Sequence, residues 1–233
     1  MDFFDSIKNI FRKKNKEINE RTYAGTDARV EAYIEKHLKE VNSRIPGLEE
    51  LYGTDFYQFF YRPDAGEFIR KELLDVLGIS PVDCFDNDHW EEKHPFNFPG
   101  PFYTGESDTC GTGETEAPFN VLFDANCMEY VFRQPKNYAE LLCVIDAGAV
   151  EVRDSYSCNG NNHWTYSECK NWWANRENLI LQLSDAELSS VNRGKEQLYI
   201  NYLNSDAAHD LRKYCFFLEN NFYPGEGVAL PEL

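Results

Sequence analysis

Between Ile79 and Pro118 the chain carries Pro81, Pro95, Pro99, Pro101 and Pro118 together with Gly100, Gly105, Gly111 and Gly113. No long helix can run through such a stretch, because each proline removes a backbone donor and each glycine loosens the backbone. The segment must fold as loops and short strands. Helical patterning is therefore expected on either side of it, in a chain of 233 residues.

On the N-terminal side, residues 1–21 place Phe3, Phe4, Ile7, Ile10 and Phe11 at helical spacing ahead of Arg12, Lys13, Lys14 and Lys16, the pattern of a short amphipathic helix with a basic end. A membrane-surface anchor and a helix docked by its Phe/Ile face both fit; docking is the preferred reading, since one short helix binds membranes weakly. From Thr26, which can cap, Val30, Tyr33, Ile34, Leu38, Val41 and Ile45 share a face, and Pro46-Gly47 is expected to stop the helix. A second helix is predicted from Ala65 to Leu77, with Phe68, Ile69, Leu73, Val76 and Leu77 inward and Gly78 as its stop. The aromatic run Tyr52, Phe56, Tyr57, Phe59, Phe60 and Tyr61 between them reads as core.

Beyond the interruption, residues 121–123 and 130–132 read as two short strands of a hairpin. Pro135 opens a helix over residues 137–145 that Gly148 should end, and Val150-Glu151-Val152 follows as a strand. The last third is helical again, with start signals at Ser167, at Ser184-x-x-Glu187 and at Ser205, and an apolar face of Leu198, Tyr202, Leu211, Cys215, Phe216 and Leu218. No internal repeat is present. The expected architecture is a single α+β domain over residues 22–233, preceded by the 1–21 helix, with helices at both ends around a small, mainly antiparallel sheet and a loop-rich acidic segment at 79–118.

Charge and cysteine usage narrow the function. The net charge is −17, and the excess of acids opposes binding to nucleic acid or anionic lipid. Residues 1–21 hold six bases and four acids, so the remaining chain carries −19. The N-terminus lacks the apolar core and cleavage site of a secretory signal, and runs such as Leu141 to Ile145 are far too short to span a bilayer. Seven cysteines, an odd number spread along a mid-sized chain, read as cytoplasmic thiols.

Several segments invite a chemical reading. In Asp108-Thr109-Cys110-Gly111-Thr112-Gly113 a cysteine sits in a glycine-rich turn where backbone N–H groups can stabilise a thiolate. Glu106, Asp108, Glu114 and Glu116 oppose that by raising the thiol pKa, so a structural turn is favoured; the segment also lacks both glycine-rich nucleotide-binding signatures. Cys158, His163 and Cys169, with Cys143 as a fourth ligand, could surround zinc, but no C-x-x-C pair is present. His89 and His94 flank Glu91-Glu92 five residues apart, one more than the H-E-x-x-H helix requires, and Pro95 disfavours that helix. Trp164, Trp172 and Trp173 could stack on a sugar or base, yet aromatics beside a predicted helix usually fill a core. No cofactor and no metal are expected.

The strongest signal is the stretch from Asp83 to Tyr130, with eleven acids and one base, Lys93, interleaved with Trp90, Phe96, Phe98, Phe102, Tyr103 and Phe119. Aromatic anchors with complementary charge are what tight protein interfaces use; a solvated acidic face is the bland alternative. The candidate partner-binding residues are Asp86, Asp88, Trp90, Glu91, Glu92, Glu106, Asp108, Glu114 and Glu116. A small, acidic, cytoplasmic chain without catalytic motifs resembles the immunity proteins that protect bacteria from polymorphic toxins. The resemblance implies a non-enzymatic inhibitor that occludes the active site of a basic toxin or effector, with no nucleic-acid partner and no stable membrane insertion. The competing expectation is an enzyme using Cys110 or a Cys158/His163/Cys169 zinc site.

Overall fold

The computed structural model describes residues 24–80 and 84–233; the amphipathic helix expected over residues 1–21 lies outside them. Helix α1 runs Ala24–Tyr52. A boundary between two compact units falls inside it, after Lys36, and the larger unit, His37–Leu233, holds both sheets and the other described helices. Pro46-Gly47 does not stop α1. An interior proline costs about 3 kcal/mol, but two residues further on Leu48 is buried, which returns roughly 1.5–3 kcal/mol, and the Tyr52 ring packs 4.9 Å from Phe59 and 5.4 Å from Phe68. The helix ends where the backbone requires a glycine: Gly53 has φ +86 and donates its N–H to the Glu49 carbonyl at 2.9 Å.

Asp55 caps the short α2, Phe56–Phe60, by accepting the Gln58 N–H at 3.2 Å, and four of the six residues of the aromatic run, Phe56, Phe59, Phe60 and Tyr61, are buried core while Tyr52 and Tyr57 are half-buried. The predicted helix at Ala65 to Leu77 is present as α3 and ends on Gly78 in the left-handed conformation, but its middle, Ile69–Leu73, is a π-helical turn. The wider turn inserts an extra residue and rotates the remainder of the helix. Leu73 and Leu74 are therefore buried while Val76, expected inward, is 49% exposed.

Among its described residues, the segment after α3 holds only a 3-10 turn (Trp90–Glu92), strand β1 (Tyr103–Thr104) and the single-turn helix α4 (Gly113–Glu116). Strands β2 (Val121–Phe123) and β3 (Glu129–Val131) form the expected antiparallel hairpin, with Leu122 opposite Tyr130. Asp124 ties its turn by accepting the Asn126 and Met128 N–H groups. Helix α5, Tyr138–Val150, starts within a residue of the expected point, with Asn137 as its cap, but passes through Gly148. That glycine serves packing instead: a methyl there would lie 2.8 Å from the Phe85 ring. Residues 150–152 are accordingly a helix end and turn, not a strand, and the missed strand is β4, Tyr156–Ser157, antiparallel to β1.

Five helices complete the chain: α6 (Tyr166–Ala174), α7 (Arg176–Leu183), α8 (Ala186–Val191), α9 (Glu196–Leu203) and α10 (Ala207–Asn220). α6 is capped two residues before the Ser167 signal, by a Thr165/Glu168 capping box. α8 is capped by Asp185, because the Ser184 hydroxyl is spent on the Ile180 carbonyl of the preceding helix. The fold is α+β, mostly helical, with two two-stranded antiparallel sheets.

Candidate partner-binding face

The acidic face is organised by one carboxylate. Asp88 Oδ1 accepts the Trp90 N–H at 3.1 Å and the Tyr103 hydroxyl at 2.9 Å, while Oδ2 lies 3.0 Å from His163 Nε2. Burial pushes the Asp88 carboxyl upward, but these three partners together hold it below the usual carboxylate range. The bonds fold the chain into the 3-10 turn and press the Trp90 indole flat against the His163 ring, 4.6 Å away with 9° between planes. Tyr103 and Trp164 meet the same indole edge-on at 5.5 Å and 5.1 Å.

Lys93 then turns inward. Its Nζ lies 5.0 Å from the Trp90 ring and 4.8 Å from that of Trp164, a cation–π arrangement, and burial lowers its pKa. The single base of the acidic stretch is thus withdrawn into an aromatic cluster. Asp86, Glu91 and Glu106 stay exposed and pair with no cation among the described residues. Glu92 is exposed beside its neighbour His89, which it contacts through Nδ1. The loop brings Glu106 to this turn because Gly105 lies against it: a methyl at Gly105 would fall 2.8 Å from His89 Cβ and 3.0 Å from Glu92 Cγ.

Two of the nine expected face residues are corrected. Glu114 and Glu116 are buried; Glu114 pairs with Lys195, and Glu116 Oε2 lies 3.3 Å from His37 Nδ1. Acids are rarely buried without a partner, and these partners are some 80 residues away in the chain, out of reach of a local charge count. Asp108 is half-buried and works locally, accepting the Cys110 N–H at 2.7 Å. This makes the Asp108–Gly113 segment a tied turn, with Gly111 at φ +65. Cys110 is exposed, and hydrogen bonding to Asp108 pushes its thiol up, away from a nucleophile's range.

The proposed zinc ligands are not brought together. Burial pushes the Cys158 thiol up to about 12, and its Sγ faces the Gly66 carbonyl at 3.6 Å. His163 belongs to the Asp88/Trp90 cluster, and Cys169 is buried with its thiol raised by a hydrogen bond to Cys215. Cys143 is buried in α5. Among the described residues no group of three or more His, Cys, Asp or Glu side chains could hold a metal ion. His89 and His94 also diverge: His89 Nε2 contacts the Asp154 carbonyl, whereas His94 reaches Asp124 at 3.4 Å and stacks on Tyr130. Of the tryptophans, Trp164 is buried and Trp172 packs edge-on to Phe98 at 5.3 Å.

A second carboxylate cluster lies beneath the 105–113 loop and leaves no trace in sequence patterning. Glu129 is fully buried on β3; its Oε1 accepts the Gly113 N–H and its Oε2 the Tyr156 hydroxyl, both at 2.7 Å. Glu151, also buried, accepts the N–H groups of Asp108, Arg153 and Ser155 at 2.8–3.0 Å. A short strand reading Glu-Tyr-Val gives no hint that its acid points inward. A cleft floored by Tyr57, Tyr61, Tyr202 and Tyr223 holds about 10 Å³, room for one water molecule rather than a substrate. No described helix is long and apolar enough to cross a membrane. The chain matches no protein-family model, no curated protein and no solved structure.

Proposed function

We propose that this chain is a non-enzymatic, acidic binding protein of the immunity type, which acts in the cytoplasm by covering the active site of a basic toxin or effector domain. The observation that supports this reading is the inward turn of Lys93 onto Trp90 and Trp164, which leaves Asp86, Glu91, Glu92 and Glu106 outward around a rigid aromatic base. A face of one sign on a fixed scaffold speeds encounter with a partner of the other sign. The dispersal of Cys158, His163 and Cys169, together with the raised Cys110 thiol, weighs against the enzymatic alternative.

Co-expression tests the proposal. The protein encoded beside this chain, produced alone in a bacterial host, is expected to arrest growth, and co-production of this chain to restore it. An Asp86→Lys/Glu91→Lys/Glu106→Lys variant that folds normally is expected to lose that protection. A harmless neighbour, or full protection by the triple variant, refutes the reading.

A further inference from the structure

Glu129 is a buried carboxyl with no cation to compensate it among the described residues. It has 0% exposure, and its two oxygens touch only the Gly113 N–H and the Tyr156 hydroxyl at 2.7 Å. A methyl on Gly113 would collide with both Glu129 and Tyr156, so the helix start at Gly113 is seated directly on this carboxyl. The charged groups facing it are the acids Asp108, from the loop, and Glu151, from the turn after α5. On the loop side lies the Cys110 thiol, which Glu129 also influences. The guanidinium of Arg153 is directed instead at the Ser107 carbonyl, 3.4 Å away.

We infer that Glu129 is a proton-operated latch: neutral, it holds the 105–113 segment down between Gly113 and Tyr156, and loss of its proton to solvent releases that segment. In the neutral form Oε1 keeps the Gly113 N–H, and the proton on Oε2 donates to the Tyr156 oxygen across the same short contact. Ionised, the carboxylate keeps two good donors, but it is a bare charge at zero exposure with two further carboxylates near it, and desolvation together with like-charge repulsion outweighs two hydrogen bonds. Burial, Asp108 and Glu151 move the group in one direction and the two donors in the other; the balance pushes it up to about 7. Because the segment carries Glu106 and Asp108, the latch controls how that part of the acidic surface is displayed, yet it operates in the isolated protein and does not depend on the proposed partner.

The sign of the effect comes from linkage. The latched state holds the proton more tightly than a released, solvated glutamate, whose ordinary value is 4.5. The latch is therefore at full strength below about pH 4.5 and weakens about tenfold per pH unit until it levels off above about pH 7. The test is amide hydrogen exchange of the full chain, corrected for intrinsic exchange rates, at pH 5 and pH 7. Protection of the Gly113 amide is expected to fall about 40-fold across that interval, while the β2–β3 ladder amides keep theirs. In Glu129→Gln, an uncharged isostere, Gly113 protection is expected to be independent of pH. Carbon-13 titration of the Glu129 carboxyl in the unmodified protein needs no variant, and is expected to give a midpoint well above that of an ordinary glutamate. Unchanged Gly113 protection, an equal loss across the β2–β3 ladder, the same fall in the Gln variant, or an ordinary carboxyl midpoint each overturns the latch.

Discussion

Replacing Gly148 by alanine sets two effects of opposite sign against each other. Gly148 lies inside α5, where a glycine-to-alanine change on helix propensity alone stabilises by about 1 kcal/mol. The new methyl would stand 2.8 Å from Phe85 Cζ and 3.1 Å from Cε2, well inside carbon–carbon contact distance. Phe85 has little room to retreat: it is 1% exposed, its ring packs 5.5 Å from Phe102 and 6.3 Å from Tyr156, and its backbone is held at φ +59. Overpacking of this kind costs roughly 1–3 kcal/mol. Steric cost should win, and Gly148→Ala is expected to lose about 1 kcal/mol net. In the Phe85→Leu background the colliding ring atoms are gone, so the same change should become neutral or stabilising, with a coupling of about 1–2 kcal/mol in the double-mutant cycle. Urea midpoints for the four proteins supply the numbers. A Gly148→Ala protein more stable than its parent by about 1 kcal/mol, or a cycle additive within about 0.5 kcal/mol, refutes the argument that this glycine exists for Phe85.

The acids should separate into two classes. Glu106→Lys on the exposed loop is expected to change stability by no more than about 0.5 kcal/mol, whereas Glu116→Lys, which breaks the buried pair with His37, should cost roughly 3–5 kcal/mol; thermal melts of the two variants decide this, and equal shifts would contradict the burial. Cys110→Ser should leave the far-ultraviolet circular dichroism, the melting curve and the co-expression phenotype unchanged, and the parent's Cys110 should react with a thiol reagent at pH 7 more slowly than an unperturbed cysteine does. Thr165→Ala removes half of the capping box of α6 and is expected to cost about 1 kcal/mol, read as a lower urea midpoint; a smaller change at Ser167→Ala would locate the cap at 165.

The elements that could be read in advance are those specified by neighbours within a turn or two. Gly78 stops α3, α5 starts within a residue of the point set by Pro135, and residues 121–131 pair as a hairpin because the signals for each lie in the same few residues. Boundaries failed where a distant contact outvoted a local one. Pro46 was overruled by burial of Leu48 and packing of Tyr52 beyond it, Gly148 by the ring of Phe85, and the phase of α3 by a π-turn that moved Leu74 inward. The acidic face was legible as a concentration of charge. Which of its members look outward was not, since Glu114 and Glu116 are paired with Lys195 and His37 from other parts of the chain.

Taken alone, the sequence determined the class of the fold, the break in helicity between Ile79 and Pro118, the aromatic core and the acidic excess. These depend on composition and on short-range periodicity, which survive without knowledge of the partners. Tertiary structure decided that Lys93 turns in against Trp90, that Asp88 is the hub joining Tyr103, Trp90 and His163, and that Glu129 lies buried beneath the 105–113 loop. The reason is desolvation: whether an ionisable side chain is a solvated charge, a paired one or a protonated one is set by what surrounds it, and for Asp88 and Glu129 those surroundings come from segments 15 to 75 residues away along the chain.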